Sequence, residues 1–191
     1  MFERFTKGAR ATVTGAVTHA ERADAGSVTA EHLLFALLDQ EGSRASFAVA
    51  ALGLTDRRAS VEAALAEARR RGGMTKADVD ALAGIGIDLT AIVSRIEEAH
   101  GEGALTGDRE DRRRWTGGRP FAKEAKKILE KSLRIALGRG DRFIGEEHLL
   151  LALTASPGVV ADVLAEHGAT YETVNRALYG DGHAGQDRKA G

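Results

Sequence analysis

The chain repeats itself, and that constrains its fold more than any other feature of the sequence. A shift of 116 positions lays Phe121 on Phe5, Lys123 on Lys7, Ala125 on Ala9 and Ala136 on Ala20. In the same register Glu147-His148-Leu149-Leu150 falls on Glu31-His32-Leu33-Leu34, and Ala152 and Leu153 follow on Ala36 and Leu37. Conservative pairs fill the gaps: Val13 with Leu129, Val17 with Leu133, Val28 with Ile144. After a slip of one residue Gly53 meets Gly168. Self-similarity over this length marks a duplicated structural unit, so whatever one copy folds into the other should repeat.

Each copy parses into four helices. The first runs from about Thr6 to Ala23, with Ala9, Val13, Ala16, Val17 and Ala20 at helical spacing, and its counterpart from about Ala122 to Leu137. The second opens at the N-caps Thr29 and Gly145 and buries Leu33, Leu34, Leu37 and Leu38, or Leu149, Leu150 and Leu153. A third covers Ser43 to Leu52 and Pro157 to His167, stopped by Gly53 and Gly168. The fourth covers Asp56 to Arg71 and Tyr171 to Leu178. The expected class is therefore all-α, with two four-helix motifs over residues 1–72 and 119–180 packed as one bundle. Residues 73–118 have no counterpart. There Thr75 with Asp78 reads as a capping box, Gly84 and Gly86 break that helix, and Asp88 caps another carrying Leu89, Ile92, Val93 and Ile96. This insert could cover a groove between the repeats, prolong it, or form an oligomer contact through Leu89, Ile92 and Ile96. Residues 107–118 read as a mobile charged loop and 181–191 as a disordered tail.

Composition removes several function classes. With 27 basic against 28 acidic residues the formal charge is −1, so the lysine and arginine surplus of a general nucleic-acid binder is missing. There are no cysteines, which excludes disulfides and thiolate metal sites. No stretch approaches the ~18 apolar residues of a membrane span. The N-terminus lacks a signal-peptide pattern, and a cytoplasmic location is expected. No P-loop, zinc-protease or nucleophile-elbow motif occurs, and the six His never fall at metal-ligand spacing. We therefore expect no catalytic site, no metal and no cofactor. The repeated Glu31 and Glu147 lie in the first turn of a helix. One reading is that they complement the helix macrodipole while His32 and His148 pack with their ring nitrogens on backbone groups. The other is that each glutamate meets a cationic group on a partner.

The strings Met-Phe-Glu-Arg-Phe-Thr, Thr-Ala-Glu-His-Leu-Leu, Arg-Pro-Phe-Ala-Lys-Glu-Ala-Lys-Lys-Ile-Leu-Glu and Gly-Glu-Glu-His-Leu-Leu-Leu-Ala-Leu resemble the Clp N-terminal repeat domain. That double repeat precedes the ATPase rings of ClpC and ClpA unfoldases, and the ClpC type is the nearer. The resemblance implies eight core helices with internal pseudo-two-fold symmetry. It also implies docking of adaptors, client proteins and, in ClpC types, phosphoarginine-tagged proteins. Carried over by position, Glu31 and Glu147 match the glutamates that pair with the phosphoarginine guanidinium, and Thr6 matches the residue that helps hold the phosphate. Ala122 stands where the second copy would need that hydroxyl. Glu146 adds a negative charge beside the second site, so the first copy, with Thr6 and Glu31, is the better expected site.

A second family surface, between the first helices of the two repeats, accepts cyclic peptide antibiotics in actinobacterial ClpC. Its matching positions are Phe2, Val13, Phe121, Lys126 and Glu130. Read from the residues alone, Phe2 and Phe121 could equally be hydrophobic staples and Val13 core. The chain departs from the family in its long insert and in having no ATPase domain after the repeats, so a stand-alone protein is expected. Its function is then protein and peptide binding in a Clp protease system, as adaptor, recognition module or decoy, with Clp unfoldase or protease components, adaptors or clients as partners. The alternative is a DNA-binding regulator using Arg109, Arg112, Arg113, Arg114 and Arg119 around Trp115, with the insert helices loosely resembling a helix-turn-helix.

Overall fold

Thr6 opens the first helix because its hydroxyl oxygen accepts the Ala9 amide hydrogen at 3.0 Å, satisfying one of the N–H groups that a helix start leaves unpaired. In the computed structural model, which describes residues 2–101, 104–105 and 119–180, this helix α1 spans Lys7–Arg22 after a 3-10 turn at Phe2–Arg4. The first copy continues as α2 (Ala30–Leu38), α3 (Arg44–Ala51) and α4 (Arg58–Arg70). The insert contributes α5 (Lys76–Gly84) and α6 (Leu89–His100). The second copy is α7 (Lys123–Gly138), α8 (Glu146–Ala155), α9 (Val159–Glu166) and α10 (Tyr171–Tyr179). Every helix and strand element among the described residues is helical, as the all-α reading requires. The expected mobile loop and tail lie outside the described residues.

Local chemistry sets the helix ends. The Ser43 and Thr170 side chains accept the amides three residues on, at 3.1 and 3.2 Å, and Thr75 does the same for Asp78 at 3.1 Å. Asp88 caps α6 through the Ala91 amide at 3.1 Å. Gly53 and Gly168 take positive φ (68° and 83°) after α3 and α9, the left-handed conformation that closes a helix at least cost without a Cβ. The equivalent closing position after α1 and α7 is Asp24 (φ 49°) in one copy and Gly140 in the other. Arg119 holds that aspartate, its guanidinium 3.1 Å from the carboxylate and also bonded to the Ala25 carbonyl.

The two copies interleave. α2 and α8 lie at the centre, with Leu33, Leu34 and Leu37 of one and Leu149, Leu150, Leu151 and Leu153 of the other all 1% exposed or less. α3 packs on α10 and α4 on α9, so each peripheral helix of one copy rests on the other copy. The buried apolar residues of both copies form one continuous core. The insert is peripheral. Its Leu89 and Val93 are buried outside that core, and Arg70 of α4 grips Glu97 of α6 through bonds of 2.8–3.2 Å. The apolar face of α6 thus turns inward at Leu89, which cannot serve an oligomer contact, while Ile92 stays 43% exposed.

Asp39 clasps the first copy from the end of α2, 2.6 Å from His19 of α1 and 2.7 Å from Arg58 of α4. Burial pushes its carboxyl up, but the hydrogen bonds from Arg58 and His19 outweigh this and hold its pKa below the usual value. A carboxyl depressed in the folded state adds stability above its unfolded pKa and loses it as pH falls through the folded one. Asp39→Asn should therefore cost under about 1 kcal/mol at neutral pH, since the pair is part-exposed and screened. The gap to the parent protein should close below about pH 3.8 in acid titrations of thermal stability followed by circular dichroism.

Candidate binding site

Two short parallel bridges bring helix starts together. Phe5 pairs with Ile144, and Val28 pairs with Phe121. The Thr6 amide donates to the Ile144 carbonyl at 2.9 Å and the Ile144 amide to Arg4 at 2.8 Å. The same ladder recurs where Ala122 donates to Val28 at 2.9 Å and Val28 to Pro120 at 2.8 Å. As a result the start of α1 sits beside the start of α8, and the start of α7 beside that of α2. Each junction gathers the positive ends of two helices, a setting that favours an anion.

In both junctions the protein supplies that anion itself. Between α1 and α8 it is Glu146, whose carboxylate accepts the Thr6 hydroxyl at 3.2 Å. It lies so close over Gly8 that a Cβ there would come within 1.9 Å of an Oε atom. Between α7 and α2 it is Glu124, which accepts the Ala30 amide at 3.3 Å. The expected alliance of Thr6 with Glu31 is not formed. Thr6 faces the second copy's Glu146, while Glu31 belongs to the junction that carries Ala122. The copies cross at both places because each helix start is bonded to the strand-like segment of the other repeat.

The glutamates differ in setting. Glu31 is 8% exposed, and Arg69 from the end of α4 reaches its carboxylate at 2.9 Å. Glu147 folds back over Gly145, where a Cβ would lie 2.2 Å from its Oε2, and its side chain is 18% exposed. The histidines act as caps, as one of the two sequence readings held. His32 Nδ1 accepts the Thr29 amide at 3.0 Å, and His148 Nδ1 accepts the Gly145 amide at 2.9 Å. With Nδ1 accepting, the ring proton of neutral His148 is on Nε2, which donates to Asp141 at 2.9 Å. Among the described residues no cluster of three His, Asp or Glu could hold a metal ion.

One junction opens onto a groove of about 980 Å³. Its walls are the α2 start with Glu31, the end of α4 with Leu65 and Arg69, α7 from Lys123 to Arg134, and the turn from α8 into α9. Sequence reasoning missed Arg69, one of three consecutive arginines, because nothing local shows which of them turns inward. The second expected surface is only partly assembled. Val13 is 7% exposed in the core, Phe121 is half-buried, and Lys126 and Glu130 are exposed on α7. Of these four, Glu130 alone lines the groove; Phe2 lies in the opening turn, its side chain outside the described residues. Of the arginines read as a DNA contact, Arg119 is spent on Asp24 and Ala25; Arg109, Arg112, Arg113, Arg114 and Trp115 lie outside the described residues. The two insert helices and the Asp88 cap carry Asp78, Asp80, Asp88, Glu97 and Glu98 against Lys76 and Arg95, a sign of charge that phosphates avoid.

The family model described as Clp repeat (R) N-terminal domain matches residues 4–80 and 120–187. The chain belongs to this family. The chaperone protein ClpB of Bacteroides thetaiotaomicron is 31% identical over 64 residues, which is 33% of this chain and 7% of that protein, so the chain spans only a small part of that relative's length. The N-terminal domain of the caseinolytic protease associated chaperone ClpD from Arabidopsis thaliana shares the fold, with a TM-score of 0.52 at 17% identity over 93% of this chain and 94% of that one. The Hsp104 N-terminal domain from Candida albicans gives a TM-score of 0.48 at 18% identity over 91% and 88%. In this Clp repeat domain the helix starts meet crosswise at two junctions, one of them open to the groove.

Proposed function

We propose that this Clp repeat domain is a non-catalytic, cytoplasmic protein-binding module that takes adaptors or client proteins for a Clp unfoldase of the ClpC kind. The observation that carries the reading is the groove beside Glu31, open at the very junction where the family resemblance puts a ligand-facing glutamate. The chemistry there also favours a strict condition on phosphoarginine. Its guanidinium would have to displace Arg69 from Glu31, and its phosphate would have to displace Glu124 from the Ala30 amide. At the other junction a phosphate would likewise have to displace Glu146 from the Thr6 hydroxyl.

Calorimetric titration with phosphoarginine tests this. Arg69→Ala should bind about tenfold more tightly than the parent protein, because one competing charge-assisted pair is removed. Glu31→Ala should abolish binding at that junction. Failure of the parent protein and of Arg69→Ala to bind either phosphoarginine or a tagged client would overturn the reading.

A further inference from the structure

The groove walls carry an uneven charge that the chain as a whole lacks. Along α7, Lys123, Lys127, Lys131 and Arg134 fall at spacings of three or four residues, so they line one side of the helix, and all four border the groove, with Arg69 opposite. The carboxylates on the same walls are already engaged. Glu31 holds Arg69 at 2.9 Å, Glu124 accepts the Ala30 amide, and Glu130 lies 3.8 Å from Arg134. Lys131 donates to the Ala155 carbonyl. Lys123 and Lys127 are exposed and have no ion-pair partner among the described residues. Leu65, Ile128, Leu153 and Val160 behind these walls are sealed in the core, and the apolar surface that the groove offers is the α8–α9 turn, with Pro157 exposed and Val159 and Ala161 half-buried.

We infer that the groove seats an acidic peptide segment whose apolar side chains rest on Pro157, Val159 and Ala161 while its Asp and Glu side chains face Lys123 and Lys127. This rests on the protein-binding reading and names the chemistry of the partner. Charge complementarity decides the sign, since the two unpaired lysines stand in a chain whose formal charge is −1. The apolar turn decides the class. A nucleic acid would meet the same lysines with its phosphates but would bring no aliphatic side chain to Pro157, Val159 and Ala161. A peptide alternating acidic and apolar residues satisfies both the lysines and the turn.

The test uses the full chain and three fluorescein-labelled probes in polarisation titrations. They are a short Glu/Leu-alternating peptide, its Lys-for-Glu counterpart, and a single-stranded DNA oligomer of matching charge. The acidic peptide should bind, more weakly as salt rises, and the basic peptide should not. Lys123→Glu combined with Lys127→Glu, both on an exposed helix face, should weaken the acidic peptide about tenfold or more. Val159→Ser should weaken it without changing its salt dependence. Equal binding of acidic and basic peptides, indifference to the double reversal, or tighter binding of the DNA would each overturn the proposal. If phosphoarginine binds through Glu31 while the acidic peptide does not, the groove assignment fails alone. If neither binds, the protein-binding reading fails with it.

Discussion

Phe5→Ala should destabilise the domain by about 3–5 kcal/mol, whereas Phe121→Ala, its counterpart in the other copy, should cost about half as much. Phe5 is 2% exposed and one of the largest fully buried side chains, set where the segment before α1 pairs with Ile144. Deleting its ring leaves a cavity at the seam between the copies, where both backbones are fixed by the Thr6–Ile144 ladder and collapse poorly. Phe121 makes the equivalent bridge to Val28 but stays half-buried, so solvent already touches part of the ring. Urea unfolding of the two variants, followed by far-UV circular dichroism, measures the contrast. Equal losses would show that the two junctions are energetically alike despite their different burial. Against a typical domain stability of about 5–15 kcal/mol, the Phe5 variant should sit near the edge of folding.

His148→Ala should cost about 3 kcal/mol, and His148→Gln appreciably less. The ring is 1% exposed and carries two bonds, one accepted from the Gly145 amide and one donated to Asp141. Truncation strands the Gly145 N–H inside the protein, about 1–3 kcal/mol by itself, and opens a void around the start of α8. Glutamine at the third helical position can accept the cap residue's N–H in the manner of a capping box, so it should restore the larger part of that bond. Hydrogen exchange at Gly145 reads the mechanism directly. Fast exchange in the alanine variant and slow exchange in the glutamine variant are the expected pair of results. Equal stability of the two variants would assign the loss to packing alone.

The helices were legible because their signals are local. Thr6, Ser43, Thr75, Asp88 and Thr170 each cap a helix with their own side chain, and Gly53 and Gly168 close one by adopting positive φ. The stripe Ala9, Val13, Ala16 and Ala20 is buried as its period requires. Periodicity tells which side of a helix turns inward but not which helix it meets. The resemblance groups Thr6 with Glu31 of its own copy, whereas hydrogen bonds to Ile144, far along the chain, deliver it to Glu146. One overlooked trace of the crossing was present in the repeat alignment. Gly8 corresponds to Glu124 and Ala30 to Glu146, so each junction joins one small residue with one glutamate, exchanged between the copies. On the insert the apolar face of α6 was readable, since Leu89 and Val93 are buried on it; that Ile92 would stay exposed was not.

The interleaving of α3 with α10 and of α4 with α9 makes this molecule a two-fold dimer written into a single polypeptide. Neither half owns a complete core, so a lone copy of residues 1–72 would expose α2 and be expected to close that surface by pairing with itself. Joining the halves covalently replaces a concentration-dependent association with a loop closure whose cost grows only slowly with length, so a long insert such as 73–118 is inexpensive. Tethering also frees the halves from strict symmetry. One junction could then acquire its filling carboxylate on α8 and the other on α7, a division of labour that identical subunits cannot make.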